Sequence, residues 1–88
     1  MDIDWYEDFL ALADTGKFTA AASMRGSSQS ALSRRIQLLE TRLGTTLIDR
    51  SKNPIRLTAA GEALLPNASE LVRLARDCEQ SEIGRAHV

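Results

Sequence analysis

The stretch Ser28-Gln29-Ser30-Ala31-Leu32-Ser33-Arg34-Arg35-Ile36 decides the fold, and it follows directly on Gly26-Ser27. A serine in front of a helical repeat is a common N-cap, and the apolar residues that follow repeat at the spacing of one helical face: Leu32, Ile36, Leu39 and Leu43. This pattern predicts a helix over Gln29–Leu43. The residues before it predict a short helix over Ala20–Arg25, capped by Thr19. Two helices joined by so tight a turn are typical of a helix-turn-helix, and equally of any helical hairpin.

Three further elements are predicted on either side of this pair. Apolar residues at helical spacing predict a first helix over about Trp5–Thr15. After the pair, two short β-branched stretches, Thr45–Arg50 and Ile55–Leu57, flank turn residues and predict a β-hairpin. A long helix with an apolar stripe follows. The expected fold class is mainly α: a winged helix-turn-helix of three helices and a two-stranded β-wing over residues 3–58, then a long C-terminal linker helix over residues 59–80.

Composition limits the classes of function. The chain has 88 residues, enough for one small domain, and its one cysteine excludes an internal disulfide. The sequence has a single histidine, His87, and neither a glycine-rich phosphate loop nor paired cysteines. Few residues could therefore act in catalysis or bind a metal, so we expect no enzyme, no metal and no cofactor. No apolar run is long enough for a membrane span, and the acidic start is unlike a signal peptide, which favours a cytoplasmic protein.

The net charge of −1 conceals an uneven distribution. Residues 17–56 hold eight basic and two acidic residues, whereas the rest of the chain holds three basic and ten acidic ones. Two interpretations fit this pattern: a molecule with one cationic side, or a solvated surface whose charges are simply unevenly spread.

The start of the third helix is the candidate DNA-contacting surface. Its polar positions, away from the apolar stripe, carry Gln29, Ser30, Ser33 and Arg34. Glutamine pairs bidentately with adenine and arginine with guanine in the major groove. An ordinary solvated helix start is the alternative for any one of these residues, but the group beside a tight turn favours DNA contact. Thr19 and Ser28, at helix starts, are candidate phosphate contacts, plain caps, or both.

The predicted hairpin carries Arg50 and Lys52 near its tip. A cationic tip beside such a helix is typical of a wing that lies along DNA phosphates or in the minor groove. The alternative is an edge hairpin that charge protects from aggregation.

The last helix is too long for so small a body to bury. Its stripe predicts a seam with the same helix of a second copy, formed by Leu65, Ala68, Leu71, Val72 and Ala75. Such a dimer would place two recognition helices about one DNA turn, or a multiple of it, apart. The alternative is that part of the stripe packs on the first helix.

The residues alone are therefore compatible with two functions. The first is sequence-specific binding of double-stranded DNA, with Gln29–Leu43 in the major groove and the wing, Leu47–Leu57, on the backbone or in the minor groove. The second is a protein-interaction module, in which the helix-turn-helix is only a scaffold and the long helix joins a partner.

Five linked motifs carry a resemblance to a known family. They are Lys17–Ala22, Ser28–Ile36, Leu39-Glu40 with Leu43-Gly44, Leu47–Arg50, and Leu57-Thr58 with Ala60-Gly61. In order and spacing they resemble the N-terminal DNA-binding domain of LysR-type transcriptional regulators, over about residues 3–80.

The resemblance implies a bacterial regulator that dimerises through the linker helix and binds an interrupted inverted repeat at a promoter. It implies base contacts from Gln29, Ser30, Ser33 and Arg34, backbone contacts from Thr19, Ser28 and Arg35, and wing contacts from Arg50 and Lys52. Full regulators of this type carry a C-terminal effector-binding domain, which this sequence lacks, so no small-molecule effector is expected for it.

Further features depart from the family pattern. Many members have a leucine where Arg25 stands and an apolar residue where Ser27 stands, so we expect Arg25 to face solvent or DNA. The segment 81–88 is expected to be a non-native or disordered tail. It reads like the translation of a common sequencing-library adapter, which suggests that the natural protein continues beyond about Glu82.

Overall fold

The structure is a computed structural model that describes residues 2–80, and the predicted tail at 81–88 lies outside them. Four helices and two strands follow in order: α1 (Ile3–Thr15), α2 (Phe18–Arg25), α3 (Gln29–Leu43), β1 (Ile48–Asp49), β2 (Arg56–Leu57) and α4 (Ala59–Gln80). The predicted fold class is confirmed: a helix-turn-helix, a two-stranded antiparallel wing and a long last helix.

The turn between α2 and α3 forms as its residue types dictate. The Ser28 side chain accepts a hydrogen bond from the Ala31 N–H at 3.1 Å, so this predicted cap is confirmed and α3 has the predicted bounds. Helix α2 begins two residues before its predicted start, with Lys17 at the N-cap position. Thr19 is therefore not the cap of α2, and it lies exposed in the first turn.

Helix α1 is the centre of the packing and contacts α2, α3 and α4. The largest fully buried apolar side chains come from α1, α3 and the start of the wing: Phe9, Leu12, Leu32, Ile36, Leu39, Leu47 and Ile48. Leu43, which the predicted stripe included, is 37% exposed at the end of α3 and is not part of the core. Burial of these apolar groups holds the helix-turn-helix against α1 and supplies most of the driving force for folding.

The wing is shorter than the sequence predicts. Only two residue pairs join the strands, Ile48 with Leu57 and Asp49 with Arg56. The Thr58 N–H still donates to the Leu47 carbonyl oxygen at 3.0 Å, but α4 begins at Ala59, so the ladder ends there. On the side away from β2, Glu40 of α3 holds the start of the wing, because its Oε2 accepts the backbone N–H groups of Leu47 at 2.8 Å and Ile48 at 3.2 Å.

Helix α4 begins against the base of the wing. A Cβ added at Gly61 would lie 2.3 Å from the carbonyl oxygen of Leu47, which is closer than atoms can approach. Glycine is therefore required for this contact between α4 and the chain entering β1.

Candidate nucleic-acid interface

The polar face of α3 is presented to solvent. Gln29, Ser30 and Arg34 are exposed and Ser33 is half-buried, while Leu32 and Ile36 on the opposite side are fully buried. We call Gln29, Ser30, Ser33 and Arg34 the recognition face. Its residues lie on neighbouring positions of the first two turns, so they are available together to a ligand that approaches this end of the helix.

A surface depression brings residues of three elements together. The start of α2, the start of α3 and the wing line it with Phe18, Thr19, Gln29, Arg50, Lys52 and Asn53. We call this depression the wing notch. Four residues that the sequence singled out separately thus share one concave surface with cationic walls: Thr19, Gln29, Arg50 and Lys52.

Arg50 is held in place at the edge of the wing notch. Its guanidinium carbon lies 5.5 Å from the centre of the Phe18 ring, a cation–π distance. Its Nη1 lies 3.4 Å from Glu40 Oε1. Glu40 therefore fixes both the backbone at the base of the wing and one of the wing's cations. Lys52 is exposed at the tip.

Arg35, expected from the resemblance to contact the DNA backbone, points into the protein. Its Nε donates to Asp8 Oδ2, and its Nη2 donates to Asp8 Oδ1 at 3.2 Å and to Ser27 Oγ at 3.1 Å. The hydrogen bond to Asp8 raises the pKa of the guanidinium. These contacts make Arg35 a residue of the helix-turn-helix scaffold, and its expected contact with the DNA backbone stays a prediction.

Arg25, expected to face solvent or DNA, joins the same cluster instead. Its Nε donates to Asp8 Oδ1 at 2.9 Å, and its Nη2 lies 3.5 Å from both Asp4 and Glu7. Arg25 and Ser27, where many family members carry apolar residues, are therefore both in contact with a cluster centred on Asp8. Asp8 was missed in the sequence, although its position four residues before Leu12 places it on the buried side of α1.

A second ion cluster joins α4 to α1. Arg76 donates to both carboxylate oxygens of Glu7, from Nε at 3.0 Å and from Nη2, and its Nη1 donates to Glu79 at 3.1 Å. The hydrogen bond from Arg76 holds the pKa of Glu7 below its usual value. This pair fixes the linker helix to the body of the molecule.

The expected dimer seam needs correction. Ala68 has 0% of its surface exposed and belongs to the core of the monomer, so it has no surface to offer a second copy. Leu65 and Val72 are half-buried and pack on the same core, and Ala75 is also half-buried. Leu71 is 42% exposed, and Leu74, which the prediction omitted, is 52% exposed. The unpartnered apolar surface of α4 therefore centres on Leu71 and Leu74.

Within residues 2–80, no group of three histidine, cysteine, aspartate or glutamate side chains is arranged to hold a metal ion. Within the same residues, no helix has the length and apolar character needed to cross a bilayer.

These features define a class of protein: a winged helix-turn-helix with an exposed polar recognition face and a cationic wing beside it. The family model of the bacterial regulatory helix-turn-helix proteins, lysR family, matches residues 3–62. The chain therefore belongs to the LysR family, and it corresponds to the N-terminal DNA-binding part of these regulators.

Individual relatives agree with this assignment. The HTH-type transcriptional regulator ShiR of Corynebacterium glutamicum (strain R) is 47% identical over 75 residues, which are 85% of this chain and 25% of ShiR. The chain thus spans about a quarter of the length of this relative.

Solved structures of DNA complexes share the fold. The CbnR_DBD-DNA complex has a TM-score of 0.86 at 37% identity, covering 99% of this chain and 98% of that one. DarR of Vibrio fischeri, solved in complex with DNA, has a TM-score of 0.84 at 42% identity, covering 86% of this chain and 26% of that one.

Proposed function

We propose that this chain binds double-stranded DNA sequence-specifically, as the DNA-binding portion of a LysR-type transcriptional regulator. Helix α3 enters the major groove through its recognition face, and the wing, Leu47–Leu57, lies on the backbone or in the minor groove. The wing notch is the observation that carries the proposal, because it joins Gln29 of α3 to Thr19 and the wing cations in one concave surface. The likeness to CbnR_DBD and DarR, both solved with DNA, supports it.

Within this arrangement the side chains divide by chemistry. Gln29 and Arg34 are long, exposed and suited to bidentate contacts with base edges. Ser30 and Ser33 are small, so the backbone of α3 approaches the floor of the groove. Thr19 and Ser28, at the starts of α2 and α3, and Arg50 and Lys52 on the wing act on phosphates, which position the protein without reading the sequence.

We infer that two copies pair through α4, with Leu71 and Leu74 at the centre of the seam. Both side chains are exposed and lie on one face of a helix that extends beyond the core. Pairing them would bury apolar surface that one copy leaves in water. It would also set two recognition faces against an inverted repeat in promoter DNA. Such a regulator acts where promoter DNA lies, in the bacterial cytoplasm.

The experiment is a selection from a random duplex library, run in parallel on the wild-type chain, Arg34→Ala and Arg73→Ala. Arg73 is the matched control because it is an exposed arginine on α4, paired there with Glu70 and Asp77 and remote in sequence from α3. We expect an enriched inverted repeat for the wild type and Arg73→Ala. Arg34→Ala should lose about 1–3 kcal/mol and its preference at one base position of each half-site.

Two outcomes contradict the proposal. One is no enrichment by a wild-type chain that is shown to be folded. The other is an Arg34→Ala variant that selects the same sequences, with the same affinity, as Arg73→Ala. A single enriched half-site would support DNA recognition and contradict the pairing through α4.

A further inference from the structure

Asp8 is a charged residue in the core of a small domain. Its side chain is 0% exposed, and it lies on α1, the helix that contacts α2, α3 and α4. Oδ1 accepts hydrogen bonds from Arg25 Nε at 2.9 Å and Arg35 Nη2 at 3.2 Å, while Oδ2 accepts one from Arg35 Nε. One buried carboxylate therefore joins α1 to both helices of the helix-turn-helix.

Stability alone is a weak explanation for such a cluster. Removing a carboxylate from water costs free energy that its partners repay only with good geometry, and apolar residues of similar volume often stabilise a core equally well. A bidentate arginine–carboxylate pair does, however, fix the relative orientation of the two side chains. The planar guanidinium donates two parallel hydrogen bonds only within a narrow range of orientations. The cluster is better suited to fixing how the helices lie than to holding them together.

The cluster acts on the part of α3 that carries the recognition face. Arg35 directly follows Arg34, and adjacent helical residues differ in direction by about 100°. Holding the Cα–Cβ bond of Arg35 toward Asp8 therefore also sets the direction in which the Cα–Cβ bond of Arg34 leaves the helix. The same guanidinium donates to Ser27 in the turn through its Nη2. The turn, the start of α3 and α2 are therefore all connected to the Asp8 carboxylate.

We propose that Asp8 is a positioning residue for base recognition: through Arg25 and Arg35 it sets the rotation of α3, and hence the aim of the recognition face, without touching DNA. The inference rests on the proposed function. It also assigns Arg35 a role opposite to that of a phosphate contact, since its charge is directed at Asp8.

The test compares Asp8→Asn with Asp4→Asn on two duplexes, the one selected by the wild-type chain and a scrambled duplex of equal length. Asp4→Asn is the matched control: it makes the same charge change on the same helix, but its carboxylate is exposed and lies 3.5 Å from the Arg25 Nη2, without a bond to Arg35. Asp8→Asn should weaken binding to the selected duplex about tenfold or more, the equivalent of one lost base contact. Binding to the scrambled duplex should hold or strengthen, because it depends on phosphate charge and the variant has lost a negative charge.

This pattern separates positioning from mere folding, since partial unfolding would weaken binding to both duplexes. Equal effects of Asp8→Asn and Asp4→Asn on the ratio of the two affinities would overturn the proposal. So would a wild-type chain that selects no sequence, because the proposed function would then fail first. A wild type that selects a duplex, with variants that bind it equally well, would overturn the role of Asp8 alone.

Arg35→Lys decides the matter if Asp8→Asn does not fold. Lysine keeps the charge, so a phosphate contact would tolerate the change with little loss. Lysine lacks the branched guanidinium that reaches Asp8 and Ser27 together. If Arg35 positions α3, the ratio of the affinity for the selected duplex to that for the scrambled duplex should fall about tenfold. An unchanged ratio would overturn the proposal.

Discussion

Glu40→Ala should detach the base of the wing from α3. The Glu40 carboxylate is 13% exposed and accepts two backbone N–H groups, those of Leu47 and Ile48. Truncation leaves both donors without that acceptor and takes the anionic partner from Arg50. A hydrogen bond to a charged group contributes about 1.5–3 kcal/mol. The two N–H groups donate to the same carboxylate oxygen, so their contributions do not simply add. We therefore expect Glu40→Ala to lower the free energy of unfolding by about 3 kcal/mol.

Urea and thermal unfolding measure this loss. For a domain of this size, 3 kcal/mol corresponds to a fall in Tm of about 12–24 °C. Glu40→Gln is the control, because it keeps one carbonyl acceptor of the same reach and should lose only about 1 kcal/mol. A Glu40→Ala variant within about 0.5 kcal/mol of wild type, the range of ordinary surface substitutions, would refute the view that Glu40 holds the wing.

Three further results are expected. Gly61→Ala should lose about 1–3 kcal/mol in chemical unfolding, because the new Cβ meets the Leu47 carbonyl oxygen; an unchanged midpoint would show that α4 shifts freely. Leu74→Asp should give a monomer in sedimentation at unchanged monomer stability, whereas a retained dimer would place the seam elsewhere. The stability that Glu7 contributes should be full above its ordinary pKa of 4.5 and be lost as the pH falls through its lowered folded-state pKa; a stability difference between wild type and Glu7→Gln that stays constant through acid titration would contradict this.

Much of the fold is predictable because local signals agree with it. Helix α3 has its predicted bounds since Ser28 caps it and Gly44, with a φ of 70°, ends it. The strands were predicted too long because the chain leaves the ladder after Thr58 to begin α4 at Ala59, a limit that no pattern of β-branched residues reveals.

The site was predicted in part, for a similar reason. Helical spacing places Gln29 and Arg34 on the exposed side of α3, and residue chemistry suggests their use. Spacing alone does not show that Arg35 meets Asp8, because the two are 27 residues apart and only the packing of α1 on α3 brings them together. Ala68 was assigned to the dimer seam because the apolar residues of α4 form one stripe in the sequence. In the structure one edge of this stripe packs in the core and the other edge faces solvent.

Amide chemical-shift mapping of the wild-type chain with its selected duplex tests the central claim most directly, because it shows which surface meets DNA. We predict the largest shifts at residues 28–34 and 50–53, around the recognition face and the wing notch, with small changes over residues 70–80 of α4. Largest shifts on α4, with residues 28–34 unperturbed, would contradict the account and favour a protein-interaction module.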